Sequence, residues 1–447
     1  MDTKILTVSS INDKGEGLAF TEGKEIFLDN ALPGEKVNAV IGDPFAAGSK
    51  RCPGKVVSFL TQSEDRREPF CPYFKDCGGC QLQHWSLKAQ HQYKKEQIKA
   101  ALKSCKITLD PEDFADEDRP QICRYKTIRY FKNADGKIKA GFYKKRSHDL
   151  IEVDKCALEP EWFCSFLQDL TELFNSFSLK AYDEITHNGL IRNVMLRDGK
   201  PQRLALICTT KLLSEDLKKS LIKLAQKHQI NSLNYLVNDA KGNRILGDKS
   251  IVLFGNEYMQ AELCGHLFNV RPHAFLQVNP YATLELYQKA VSWCGENKSA
   301  VALDLCCGVG TMSLFLASHF KQVIGIEIVE DAISAAKENA DLNGINNVSF
   351  IASDLKKILP SLINENVKAV IADPARAGLG EVNCRALNRL KGDVKLALIF
   401  CSLTALKRDL PVLLKGGWKI NNVQGVDMFP HSTHVETLVL LAKNRCI

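Results

Sequence analysis

Apolar and polar positions alternate in short runs over residues 1–60, interrupted by turn signals at Lys14-Gly15-Glu16-Gly17, Leu32-Pro33-Gly34 and Gly42-Asp43-Pro44. Such patterning predicts a small all-β barrel. Residues 61–270 mix patterns: helical periodicity over Leu87–Lys103, then strand-like runs such as Lys139–Tyr143 and Leu204–Cys208, which together predict an α+β domain. Over 271–447, from about Ala282 onward, apolar runs alternate with amphipathic stretches: VALDL, VIGIEI, VSFIASD, AVIADP and LALIF. This rhythm predicts a parallel sheet covered by helices on both faces. The chain contains no internal repeat or low-complexity tract.

A length of 447 residues fits two or three domains, and 45% hydrophobic with 25% charged residues is a globular composition. The N-terminal MDTKILTVSS has no apolar stretch behind a basic region, and no segment approaches eighteen uninterrupted apolar residues. A cytoplasmic protein with no membrane partner is expected. In a reducing compartment the sixteen cysteines remain mostly thiols. The formal net charge of +7 is compatible with a nucleic-acid partner without requiring one.

Several short stretches carry chemistry. CPYFKDCGGC sets Cys71, Cys77 and Cys80 on a tight loop. Three thiolates need a fourth ligand to complete a tetrahedral site or a cubane, and spacing leaves iron and zinc equally open. Asp304-Leu305-Cys306-Cys307-Gly308-Val309-Gly310-Thr311 is a glycine turn from strand to helix, where backbone can approach a nucleotide. Ser313 stands where a dinucleotide fingerprint needs its third glycine. The next two strands end at Glu327 and Asp354, one placed to accept from ribose hydroxyls and the other near an adenine amine. These acids and the GxG look like a class I S-adenosylmethionine methyltransferase; the plain alternative is that acids at strand ends are helix caps.

The fourth strand leaves through Asp373-Pro374-Ala375-Arg376-Ala377-Gly378, which lacks the aromatic that amine methyltransferases stack on a base, and the fifth ends at Phe400-Cys401-Ser402. A thiol there suggests a nucleophile. Uracil C5 is a weak nucleophile until a thiolate adds at C6 and generates an enolate. The C5 proton must then be removed, and Glu436, at the mouth of the apolar run Thr437–Ala442, is a candidate to take it; standing alone, it reads more readily as a solvated acid at a strand start.

Phe275-Leu276-Gln277-Val278-Asn279, the Asp304–Gly310 turn, Asp373–Gly378, Cys401 with Arg408-Asp409-Leu410, and Asp427–Glu436 together resemble the RNA uracil-C5 methyltransferase family, in its order. The first 60 residues resemble its TRAM domain, an OB-like RNA-binding barrel, best at Ala31-Leu32-Pro33-Gly34-Glu35. The resemblance implies a Rossmann-like methyltransferase domain at the C-terminus. It makes Cys401 the nucleophile and Glu436 the base, with S-adenosylmethionine contacts at Gln277, Cys306, Thr311, Glu327, Asp354 and Asp373. It also implies a [4Fe–4S] cluster on Cys71, Cys77, Cys80 and Cys156 and an RNA substrate, ribosomal rather than transfer RNA. The polar mechanism needs no electron transfer, so a folding staple is favoured over a redox switch for the cluster, and a monomer is expected.

The chain departs from the family where Ser402-Leu403 replaces the usual Asn-Pro, where Thr311 and Asp354 replace Asn, and where Cys306 replaces an aromatic. RNA contacts are expected from Arg124-Tyr125-Lys126, Arg129-Tyr130-Phe131-Lys132 and Tyr143-Lys144-Lys145-Arg146. Two competing functions remain. A cytosine-C5 methyltransferase would carry a cysteine where Ala375 stands, and a non-catalytic RNA-binding protein would be expected to lose Cys401 or Glu436, both of which are present.

Overall fold

The computed structural model describes residues 3–46, 48–115, 121–145, 147, 149–241 and 250–443. At the N-terminus, strands Lys4–Thr7, Ser10–Ile11, Gly17–Thr21, Lys24–Leu28, Lys36–Ile41 and Arg51–Thr61 form one six-stranded sheet. Its inward positions follow the period-two pattern, so that Leu6, Ala19, Ile26, Leu28, Val37 and Ala39 meet in one core. The long strand Arg51–Thr61 pairs antiparallel with Lys36–Ile41 and parallel with Lys24–Leu28; two register shifts let it bend around that core. At the exit Arg66 meets the buried Glu35 through two bonds, 2.5 and 2.6 Å, and the Leu32 N–H donates to the same carboxylate at 2.8 Å.

The middle of the chain builds a seven-stranded sheet in the order Ile251–Gly255, Ser232–Val237, Arg203–Thr209, Ile191–Asp198, Lys126–Ala134, Lys137–Tyr143, Leu150–Glu152. The helices Glu161–Ser176 and Glu215–Lys227 bury Phe163, Phe166, Leu170, Leu217 and Leu221 against it. Two segments depart from a boundary at 270. The hairpin of Met259–Leu263 and His266–Val270 buries Met259, Phe268 and Val270 in the same core as Leu286 and Ile333. The helix Leu87–Ser104, capped by Ser86, buries Ile98, Ala101 and Leu102 with Leu406 and Leu410.

The C-terminal sheet runs Val348–Ala352, Phe320–Glu327, Asn297–Leu305, Val367–Ala372, Val394–Phe400, Glu436–Lys443, Lys419–Val426. The first five strands are parallel, and their order reverses beside Asn297–Leu305, which opens a crevice at the strand C-termini. The expectation of a parallel sheet is corrected at one edge, where the single strand Glu436–Lys443 runs antiparallel to both its neighbours and Lys419–Val426 beyond it resumes the common direction. Lys419–Val426 is polar and partly exposed over its first half, so its pattern is faint in the sequence. Among the described residues no helix is long and apolar enough to cross a membrane.

Candidate active site

The crevice is built by the turn after Asn297–Leu305. Cys306, Gly308 and Gly310 all have left-handed backbone, with φ of 64°, 53° and 84°. A side chain at Gly310 would press on the Phe350 ring at 3.0 Å and on Ala336 at 3.1 Å, so close helix-to-strand packing requires glycine there. A Cβ at Gly308 would meet nothing within 4 Å, and the backbone itself forms that wall. The Gly308 N–H donates to Glu327 Oε2 at 3.3 Å, and the N–H groups of Ile328 and Val329 donate to Oε1 at 2.8 and 3.1 Å, which fixes this carboxylate at the second strand end.

Asp304 lies beneath the turn, accepts the Ser313 hydroxyl at 2.6 Å, and is pushed up to about 7 by burial, against the Ser313 bond. Thr311 is buried 3.1 Å from the Tyr287 hydroxyl. Asp354 accepts the Lys356 N–H at 2.9 Å and caps the helix Leu355–Leu362, the plain role weighed for such acids. Gln277, just ahead of the helix Pro280–Cys294, donates to Asp373 Oδ2 at 3.3 Å.

Three strand ends converge beside this crevice. Ala372 pairs with Leu398, which sets Asp373 beside the end of Val394–Phe400, and Phe400 pairs antiparallel with Thr437, so the register carried one step further sets Cys401 opposite Glu436. Glu436 is buried, and its Oε2 has no hydrogen-bond partner. Burial, reinforced by the Asp373 charge and opposed by Arg376, pushes the Glu436 carboxyl up to about 8. Burial also pushes the Cys401 thiol up to about 11, with Glu436 and Asp373 adding to the rise and Arg376 opposing it. Asp373 itself is raised to about 6 by burial, against the Gln277 bond. A buried carboxyl with an unmatched oxygen beside a thiol is the arrangement expected of groups that exchange protons. Arg408 and Asp409 shape the loop ahead of it: Arg408 donates to the Ala377 carbonyl at 2.6 Å, and Asp409 accepts the Gly380 N–H at 3.2 Å.

The thiol set is only partly gathered. The Gly79 N–H donates to Cys77 Sγ and the Gln83 amide to Cys80 Sγ, both at 3.4 Å. Burial raises Cys77 and Cys80 and pushes Cys156 up to about 12. Cys71, Cys77 and Cys80 lie close enough to feel one another's charge, and Arg124 lies against Cys80 and Cys156. Every cysteine among the described residues is free of disulfide. These are thiols beside a cation, and among the described residues no three His, Cys, Asp or Glu side chains are disposed to hold a metal ion.

A groove of about 540 Å³ joins all three parts of the chain and is lined by Lys14 and Asn30 of the first sheet, Gly79 of the thiol loop, Tyr143 and Lys144 of the middle sheet, and His434 ahead of Glu436. Tyr130 and Tyr143, which also face it, stack at 4.3 Å between ring centroids. The expected RNA contacts need correction here. Arg129 is buried, pairs with Glu159 at 2.5 Å and lies over the Phe142 ring, and Phe131 belongs to the middle core, because alternate residues of a strand face opposite ways. Arg146 lies outside the described residues. Arg376, the cation facing both Cys401 and Glu436, drew notice in the sequence only for not being aromatic.

A doubly wound sheet with a glycine-walled crevice, and a thiol and a buried acid at neighbouring strand ends, defines a Rossmann-like methyltransferase. The family model described as tRNA (Uracil-5-)-methyltransferase matches residues 86–444, and the chain belongs to that family. It is an RNA (uracil-C5)-methyltransferase. It is 36% identical to an RNA methyltransferase of Halalkalibacterium halodurans, over 98% of this chain and 97% of that protein, and 34% identical to one of Clostridium tetani, over 98% and 95%. The crystal structure of Pyrococcus abyssi tRNA (uracil-54, C5)-methyltransferase with S-adenosyl-L-homocysteine has the same fold, with TM-score 0.77 and 23% identity, over 98% of this chain and 99% of that one.

Proposed function

We propose that the protein methylates C5 of a uracil in RNA through a covalent bond from Cys401 to C6. The observation that carries this is the strand register that sets Cys401 opposite Glu436, with Asp373 beside them. Cys401 adds to C6 as the thiolate, its proton having passed to solvent, and the electron pair of C5=C6 moves to C5 and O4. S-adenosylmethionine supplies the methyl group to C5. Glu436 as carboxylate takes the C5 proton; the freed electron pair re-forms C5=C6, and the C6–S bond breaks to release the Cys401 thiolate. Glu327 is the residue to hold the ribose hydroxyls, with Gly308 backbone, Cys306, Thr311 and Asp354 around the nucleoside, and Gln277 and Asp373 towards the reacting end. The target must leave its stack to meet both thiol and methyl donor, and the groove lined by Lys14, Tyr143, Lys144 and His434 is suited to the flanking strand.

Cys71, Cys77, Cys80 and Cys156 are proposed to hold a [4Fe–4S] cluster as a structural staple. The closeness of Arg124 to Cys77, Cys80 and Cys156, and of Cys71 to Cys77 and Cys80, supports this, as does the tendency of metal binding to complete a fold. Ribosomal RNA of the large subunit is the proposed target. A transfer-RNA target is the second reading, favoured by the full-length fold match to an enzyme named for tRNA. Mapping 5-methyluridine in total RNA from cells with and without the gene tests both: a lost site in 23S RNA supports the first, a lost site in tRNA the second. No lost site, with tight RNA binding by the purified protein, would indicate a binding protein without catalysis.

A further inference from the structure

The loop that carries Glu436 is held from behind by one face of the helix Leu87–Ser104, a segment remote from it in sequence. Lys94, fully buried, places its ammonium 2.5 Å from Asp427 Oδ1 and 3.2 Å from the Phe429 carbonyl, and His91 Nε2 lies 3.2 Å from Asp427 Oδ2. One turn earlier the fully buried Gln90 employs its whole amide. Its Oε1 accepts the His431 N–H at 3.0 Å; its Nε2 donates to the carbonyls of Leu82 at 3.0 Å and Trp85 at 2.8 Å, and lies 3.3 Å from His431 Nδ1. His431 has φ of 63°, a backbone state that side-chain-bearing residues adopt at a cost, and its carbonyl accepts the N–H groups of Gln81 and Leu82 at 2.8 and 2.9 Å. An apolar side chain would fill this space without needing partners. A buried amide that ties the thiol loop to a strained turn fixes position rather than merely filling volume.

We propose that Gln90 is a positioning residue for removal of the C5 proton: by clamping the turn at His431 to Leu82 and Trp85, it sets the approach of the chain to Glu436 and so the place of its carboxylate opposite Cys401. The inference rests on the reading of Glu436 as the base. Lys94 and His91 hold the other end of the loop at Asp427, so a single helix face fixes the loop at two points.

The test is a single-turnover experiment on the full chain, with a transcript of ribosomal or transfer RNA that the wild type methylates and a labelled methyl donor. It separates the methyl label carried in the covalent RNA–protein band from that in free RNA. For Gln90→Met, release of free methylated RNA slows on the order of ten- to hundredfold, as misplacing a reacting group does, while methyl transfer into the adduct stays within about threefold of wild type, so the labelled band accumulates. Ile98→Val, on the same helix but facing the core, lowers the melting temperature without changing this partition. Release at the wild-type rate, or transfer and release falling together as in a general loss of stability, overturns the proposal. If Gln90→Met does not fold, Gln90→Asn, one methylene shorter, is read by the same partition. Glu436→Gln run on the same transcript and releasing free methylated RNA at the wild-type rate overturns the parent reading instead, and is distinguished from both.

Discussion

The Gln277 amide donates to the Asp373 carboxylate across 3.3 Å, tying the entrance of the helix Pro280–Cys294 to the end of the fourth parallel strand. The bond favours ionised Asp373 against burial, and the remaining charge pushes both Glu436 and Cys401 upward. The site thus holds an acid near 8 beside a thiol near 11, so its working forms are the minority forms at neutral pH. A base acts when ionised, and Glu436 acts after methyl transfer, so release of free methylated RNA from the adduct is expected to quicken with pH through about 8. Asp373→Asn removes one repelling charge and should move that limb to lower pH. A rate of release from the adduct that is flat between pH 6 and 9 would show that Glu436 is not the base.

Cys401 and Glu436 fail in different ways if their roles are as proposed. Cys401→Ala should bind RNA yet neither transfer methyl nor form a denaturation-resistant complex. Glu436→Gln should still add and methylate, then stall as the methylated adduct. RNA with 5-fluorouridine at the target should trap the wild type in the same state, because fluorine does not leave as a cation. Denaturing gels read all three; normal turnover by Glu436→Gln would place the base elsewhere.

Glu327 is fixed by three backbone N–H donors, two on Oε1 and one on Oε2, which leaves a lone pair of Oε2 for a ribose hydroxyl. Glu327→Ala should weaken S-adenosylmethionine binding by about 1.5–3 kcal/mol, the range for hydrogen bonds to charged groups. Titration calorimetry showing unchanged affinity would exclude it from the cofactor site.

The Lys94–Asp427 pair is a stability element as well. Burial alone would raise the Asp427 carboxyl, but Lys94 and His91 outweigh it and hold the carboxyl well below the usual carboxylate range. A depressed folded value means that this stabilisation is present in full above the unfolded carboxylate value near 4 and is lost as pH falls below it. Lys94→Met strands a buried charge and should cost about 3–5 kcal/mol in denaturant unfolding near neutral pH. A cost under 1 kcal/mol would show that the pair is screened.

If the four thiols hold a cluster, anaerobically purified protein should contain iron and acid-labile sulfide and show broad visible absorbance that bleaches on reduction or oxidation. Cys77→Ala should lose iron and destabilise the middle of the chain. Stoichiometric zinc without sulfide would overturn the assignment.

Much of this protein was legible along the chain because the deciding interactions are local. Period-two runs mark the strands of the first sheet, and five apolar runs mark the parallel strands. The Asp304–Gly310 turn shows its left-handed glycines, and Cys401 and Glu436 fall at strand ends that apolar runs delimit. Tertiary structure alone decided what depends on partners far apart in sequence. Lys94 looks like any solvated helix lysine until the fold brings Asp427 against it, and Arg129 looks like a phosphate contact until Glu159 closes on it. The hairpin Met259–Leu263 with His266–Val270 joins the C-terminal core, and the strand Glu436–Lys443 enters antiparallel between two parallel neighbours. A side chain's hydropathy records its own preference for water, whereas the sign of its burial free energy depends on the charge or amide waiting inside, and only the folded chain supplies that partner.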